Sequence, residues 1–182
     1  MKKIFTFIAA AALSLSAFAT DYAGKITVSV NGEGGTQETT INITQNEDDT
    51  YCLSINNFVL DNGGSPMGVG NIVLDNMKGY TINGVTTIVA DQSITVAEGN
   101  DPNIPFWLGP MLGEVPIIMA AQFDGTDAKA DIDIDMTAIL EQFINVKFVT
   151  PGYEGGIFGD VDGDGVVTAG DVTAIYNILL GQ

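Results

Sequence analysis

Val115-Pro116-Ile117-Ile118-Met119-Ala120-Ala121-Gln122-Phe123-Asp124-Gly125-Thr126-Asp127-Ala128-Lys129-Ala130-Asp131-Ile132-Asp133-Ile134-Asp135-Met136 reads as two strands joined by a turn. Val115, Ile117, Met119, Ala121 and Phe123 fall on alternate positions, as do Ala130, Ile132, Ile134 and Met136. Successive strand side chains point to opposite faces, so each set lines one face of a sheet. Asp124-Gly125-Thr126-Asp127 between them is a hairpin-type turn.

The same grammar runs outward from this hairpin. Lys25–Val30 places Ile26, Val28 and Val30 on one face, and Thr39–Thr44 places Ile41 and Ile43 inward. Asn31 to Gly35 reads as the loop between them, and Gln45 to Asp49 as a polar turn. Tyr51, Leu53 and Ile55 form the next face and lead to Phe58 and Leu60. A fourth strand over Met67–Leu74 slips in phase between Val69 and Ile72, which predicts a bulge near Gly70. Tyr80, Ile82, Thr86 and Ile88 predict a fifth strand. Asp91-Gln92 predicts a tight turn, and Ile94 and Val96 a sixth strand. Ile144, Val146 and Phe148 supply the last. Eight or nine short strands with short connections predict a mainly β chain. Such spacing favours a sandwich or a closed barrel; the simplest topology is an antiparallel meander, which closes into an up-and-down barrel of about eight strands, followed by a short C-terminal loop–helix unit. A barrel of that size is either filled by side chains or holds one small ligand.

One connection departs from the rhythm. Gly99–Glu114 contains Phe106, Trp107, Leu108, Met111 and Leu112, with three prolines and three glycines. So apolar a stretch either plugs a barrel end or forms the wall of a ligand pocket, with Phe106, Trp107 and Met111 as candidate pocket residues. Asp131, Asp133 and Asp135 share a strand face. Alternation with Ile132, Ile134 and Met136 makes that face the solvent side; the competing reading is a carboxylate set for glycan hydrolysis or a second cation site.

Composition narrows the chemistry. The chain has 182 residues, enough for one domain and an appendage. Lys2 and Lys3, the apolar run Ile4–Leu15 and Ala17-Phe18-Ala19 form a secretory leader, so residues 1–19 are expected to be removed after Ala19. What remains carries four lysines against 23 acidic residues, a formal charge of −19, with neither arginine nor histidine. Phosphate neutralisation needs Lys and Arg, so nucleic acid is not an expected partner, and no later window is long enough to span a bilayer. Without histidine there is no Ser-His-Asp or Cys-His nucleophile and no His-ligated zinc. Cys52, the only cysteine, is expected to be a small buried hydrophobe in a strand. The expectation is a non-enzymatic exported protein, periplasmic or at the cell surface, whose natural cofactor is a divalent cation.

The C-terminal region specifies which cation. After a Gly-rich linker, residues 151–159, Asp160-Val161-Asp162-Gly163-Asp164-Gly165-Val166-Val167-Thr168-Ala169-Gly170-Asp171 has carboxylates at loop positions 1, 3, 5 and 12 and glycine at position 6. That is a Ca2+ loop. Asp160, Asp162 and Asp164 would give side-chain oxygens, Val166 its carbonyl, Thr168 its hydroxyl or a bound water, and Asp171 a closing carboxylate. A helix follows, with Val172, Ile175, Tyr176 and Leu179 as an apolar stripe that must pack on something.

Two resemblances follow from these residues. Trp107-Leu108-Gly109-Pro110-Met111-Leu112-Gly113-Glu114-Val115-Pro116, with Ile132–Met136 and Ile144-Asn145-Val146, resembles the calycin-like (lipocalin-like) β-barrel domain of secreted Bacteroides-type proteins over residues 20–150. The resemblance implies an eight-stranded up-and-down barrel; calycins in general bind small apolar ligands. Gly159–Val167, with Asp171-Val172 and Leu179-Leu180-Gly181, is similar to one dockerin type I repeat over residues 160–182. Dockerins are tandem pairs that dock onto cohesins in polysaccharide-degrading assemblies; this chain carries one copy. The expected functions are a binding module with a small apolar ligand, a scaffold that docks through its tail to a cohesin-like partner, or, third, a carbohydrate-active enzyme.

Overall fold

The computed structural model describes residues 18–60, 66–82, 84–153, 157–160 and 165–179. Eight strands, β1 (Phe18–Val30), β2 (Glu33–Gln45), β3 (Tyr51–Leu60), β4 (Met67–Ile82), β5 (Val85–Thr95), β6 (Glu114–Phe123), β7 (Ala128–Met136) and β8 (Gln142–Val149), form one closed barrel. Each strand pairs antiparallel with the next, and β1 also pairs with β8, from Lys25↔Val149 to Val30↔Ile144. A short helix, α1 (Thr137–Leu140), turns β7 into β8, and a second, α2 (Ala169–Leu179), follows the barrel.

The alternation that defines the 115–136 hairpin is the alternation of the core. Val115, Ile117, Met119, Ala121, Ala130, Ile132 and Met136 are buried, and β6 and β7 pair from Ile117↔Ile134 to Phe123↔Ala128. The turn is an Asx turn: one Asp124 carboxylate oxygen accepts N–H bonds from Thr126 and Asp127, both 2.8 Å.

Elsewhere the strands are longer than predicted. The expected loop Asn31–Gly35 is a two-residue turn, Asn31-Gly32, with φ of 50° and 90°, and Glu33–Gly35 already belong to β2. Asn-Gly is the pair that tolerates two left-handed residues and matches the twist of the flanking strands. The predicted fifth strand straddles a second reversal: Tyr80 and Ile82 end β4, Ile82 pairs with Val85, and Thr86 and Ile88 begin β5. Asp91-Gln92 is no turn; both lie inside β5, opposite Ile118 and Ile117. The bulge near Gly70 is present. The register shifts between Ile55/Phe58 and again between Phe58/Val59, around the pair Phe58↔Gly70. Gly70 has φ of +133°, and a Cβ there would run into the Ala97 carbonyl.

Alternating hairpins end at the same rim, so the barrel has two unlike ends. At the end carrying the β2–β3, β4–β5 and β6–β7 turns, Tyr22 and Tyr51 meet Phe123 tilted and edge-on, with centroids 6.2 and 5.7 Å away, and Tyr22 donates to the Asp124 carbonyl. Ala121, Ala128 and Ala130 are buried in the adjoining strands and leave room for these rings. The other end carries no such cluster.

Cys52 lies in β3 as expected, but between the inward residues Tyr51 and Leu53, so it is half-buried on the outer face rather than in the core. Burial, then the charge of Asp75, raises its thiol pKa.

Candidate functional site: an apolar cavity at one barrel end

The β5–β6 connection crosses the end opposite the tyrosine cluster. Trp107 forms a parallel bridge with Gly68, the Leu108 N–H donates to the Gly68 carbonyl at 2.8 Å, and one 3-10 turn, Gly109–Met111, follows. Two glycines admit the indole: a Cβ at Gly99 or Gly68 would collide with the Trp107 ring. An asparagine clasp holds the start of this connection. Asn71 exchanges backbone hydrogen bonds with Ala97, its amide donates to the Glu98 carbonyl, and its side-chain oxygen accepts from the Asn57 N–H. Asn57 and Asn100 are joined by two further bonds, of 2.8 and 2.7 Å. This clasp escaped sequence reasoning, since three asparagines scattered over 44 positions carry no periodic signal.

Beneath the connection lies a cavity of about 180 Å3. Its wall comes from every strand except β2: Val28, Leu53, Ile72, Ile94, Ile117, Ile134 and Ile144 among them, with Leu108 and Leu112 from the connection. Every wall side chain is apolar except that of Gln142. Met67 and Leu140 line it too and are 37% and 43% exposed, so the wall reaches the surface between β4 and α1. Of the candidate pocket residues, none lines the cavity. Trp107 is buried as a plug, whereas Phe106 and Met111 face solvent at 56% and 71% exposure. The connection does contribute a wall, but through Leu108 and Leu112. The shift has a simple cause: the 3-10 turn places Leu108 and Leu112 on the inner side and Met111 on the outer.

The strand carboxylates face outward. Asn145 donates to Asp131 and Asp133, both at 2.8 Å, and the Lys147 ammonium lies 3.7 Å from Asp131 in a solvent-exposed pair. Asp135, just before α1, accepts from the Thr137 hydroxyl and N–H, and these bonds lower its pKa. Asp133 and Asp135, with Asp91 of β5, border a shallow depression on the outer face of the barrel beside Pro116 and Phe143.

In the C-terminal unit, Asp162 and Asp164 lie outside the described residues; Asp160, Val166, Thr168 and Asp171 lie within them. Asp160 accepts the Gly165 N–H at 2.8 Å, so position 1 reaches the glycine at position 6. Thr168 and Asp171 form a capping box. The Thr168 hydroxyl accepts from the Gly170 N–H, and one Asp171 oxygen accepts from both the Thr168 N–H and its hydroxyl, at 2.7 and 2.8 Å. Asp171, in the first turn of α2, is only 3% exposed. Among the described residues no three His, Cys, Asp or Glu side chains converge on one point. The segment expected as a linker is partly tied down: the Lys129 ammonium sits 4.2 Å from the Phe158 ring centre and 5.8 Å from that of Tyr153. α2 touches β4, with Val172 and Tyr176 of its apolar stripe left exposed.

No curated protein matches the chain. Among solved structures, a Bacteroides fragilis protein described as a "putative outer membrane protein" matches at a TM-score of 0.49 and 16% identity, over 72% of this chain and 50% of that one. This chain thus spans half the length of that protein. No helix among the described residues is long and apolar enough to cross a membrane. Residues 18–150, the whole of the closed barrel, match the calycin-like beta-barrel domain, and the chain belongs to that family.

Proposed function

We propose that the chain is an exported, non-enzymatic binding module whose barrel holds a small apolar molecule, with a calcium-stabilised C-terminal unit that attaches it to a partner. The observation that carries the reading is the cavity. An empty apolar cavity costs roughly 24 cal/mol per Å3, so 180 Å3 would cost about 4 kcal/mol. That is a large share of the roughly 5–15 kcal/mol by which a domain is stable. Water does not relieve the cost, because a buried water needs several polar partners and the wall offers Gln142 alone. An apolar occupant relieves it. The size suits a molecule of about the bulk of a benzene ring, or the end of a longer chain whose head protrudes past Met67 and Leu140.

The donor chemistry of the C-terminal loop fits Ca2+. All six side chains and carbonyls in the pattern offer oxygen, the ligand type hard cations take. Asp171 is buried and oriented by the capping box, and Asp160 already bends towards Gly165. When bound, the ion would supply charge neutralisation to this acidic loop. The chain's own part is to hold Asp171 in place and to begin α2. Export is compatible with the barrel: cleavage after Ala19 takes only the exposed Phe18 and Ala19 from β1, and every inward residue from Tyr22 onward stays.

Calorimetric titration of Ca2+ into the mature protein checks the tail. Binding heat and added helicity are expected for the wild type and should be absent in Asp160→Ala and Asp162→Ala; a wild type silent to Ca2+ overturns the calcium reading. The exposure of Val172 and Tyr176 favours a second reading, a scaffold whose helix face docks on another protein. Capture that vanishes on chelation and in Tyr176→Ser would support it.

A further inference from the structure

We propose that the cavity selects apolar molecules with an uncharged, hydrogen-bonding head, such as an alcohol or primary amide, and rejects the corresponding carboxylates. The inference deepens the reading of the barrel as a binding module and rests on it. It follows from how charge is laid out around the cavity end.

Among the described residues, five exposed acids border that end: Glu33 beside the β1–β2 turn, Glu98 at the start of the β5–β6 connection, Glu114 at its finish, Asp135 near the end of β7 and Glu141 after α1. The lysines are elsewhere. Lys25 is five residues from Val30, about 16 Å along the strand. Lys147 is three residues beyond Ile144, about 10 Å, and points out towards Asp131. Lys78 lies opposite Val89 and Lys129 opposite Gln122, both nearer the far end. The chain has neither arginine nor histidine to add. The screening length at physiological salt is about 8 Å, so these lysines give a head group at the mouth little help. A carboxylate brought there loses water without gaining a counter-ion, and it meets like charge.

A neutral head meets a different surface. Gln142 is the one polar side chain on the wall, at the start of β8 and opposite Met136. Its amide offers a donor and an acceptor, so it serves a hydroxyl or an amide without either partner being charged. Gln142 belongs to the inward row that continues through Ile144, Val146 and Phe148, so its amide is carried on the same face as the cavity.

The test is a titration of the mature protein, with isoleucine methyl groups labelled for NMR, by 1-hexanol and by hexanoate at neutral pH and physiological salt. Ile134 and Ile144 methyl shifts should report 1-hexanol binding at least about tenfold tighter than hexanoate, the size expected for an uncompensated charge at a partly desolvated mouth. Glu98→Lys with Glu141→Lys, both on the surface, should bring hexanoate to within a few-fold of 1-hexanol. Gln142→Leu should weaken 1-hexanol several-fold relative to wild type. Equal affinity of the wild type for both probes, or a hexanoate affinity unmoved by the charge reversals, overturns the selectivity. Wild-type methyls that respond to neither probe overturn the cavity reading itself, a result distinct from non-selective binding.

Discussion

The carboxylates of the exposed turns are held by local hydrogen bonds that favour their ionised form. Backbone bonds from Thr126 and Asp127 hold Asp124 below the usual carboxylate range, and Thr50 and Thr137 do the same for Asp48 and Asp135. A carboxylate with a depressed folded pKa stabilises the fold above its unfolded pKa, near 3.9, and the contribution is lost as pH falls through the folded value. Asp124→Asn keeps a weaker acceptor and removes the titration, so unfolding followed by circular dichroism should show a shallower loss of stability on acidification than the wild type. At neutral pH the same variant should lose about 1 kcal/mol, the typical worth of a charge-assisted bond reduced to a neutral one. Turn residues of this kind were legible in the sequence, because an Asx turn is a local chemistry written in consecutive residues. Cys52 was misjudged on its residue type alone, since the inward row Tyr51, Leu53 and Ile55 already assigns it to the opposite face.

At the scale of elements, the plug over the cavity end is an arrangement of small residues around one large one. Gly99 and Gly68 leave the space that the Trp107 indole occupies, and Gly109 lets the 3-10 turn press against Val96 and the Val69 carbonyl. Gly99→Val puts a branched side chain where the ring lies. Since Trp107 is the only tryptophan, its emission should shift to the red and become accessible to acrylamide, with a stability loss of about 1–3 kcal/mol for the overpacked site. An unchanged spectrum would show that the ring does not depend on that space. The sequence marked this connection as apolar and able to close a barrel end, but not which side chains line the cavity. That choice depends on the phase of one 3-10 turn, and a single turn is too short to leave a period. Neither reversal was read from the sequence: Asn31-Gly32 heads a Gly-rich run that resembles a loop, and the reversal between Ile82 and Val85 lies inside what reads as one strand.

For the whole molecule, the hydrophobic alternation decided the class, while closure into one barrel rather than a sandwich comes from the β1–β8 pairing, a contact between the two ends of the sequence that no local pattern carries. What the cavity holds was not legible, because chemical selectivity arises from residues far apart in sequence, Glu33, Glu98, Glu114, Asp135 and Glu141 around Gln142, that only the closed ring assembles. The closure has a mechanical side as well. The six rungs from Lys25↔Val149 to Val30↔Ile144 join the first strand to the last, and β1 enters and β8 leaves at the same rim. Tension applied between the two ends of the barrel therefore loads these rungs one at a time, as a zipper is loaded, rather than all together in shear. Pulled in an optical trap from Tyr22 and Thr150, the ring should open at a much lower force than when pulled from Val30 and Val149, at opposite ends of the same seam. A protein held at a surface by its tail alone carries no load across that seam, so a single point of attachment is the arrangement this barrel tolerates best.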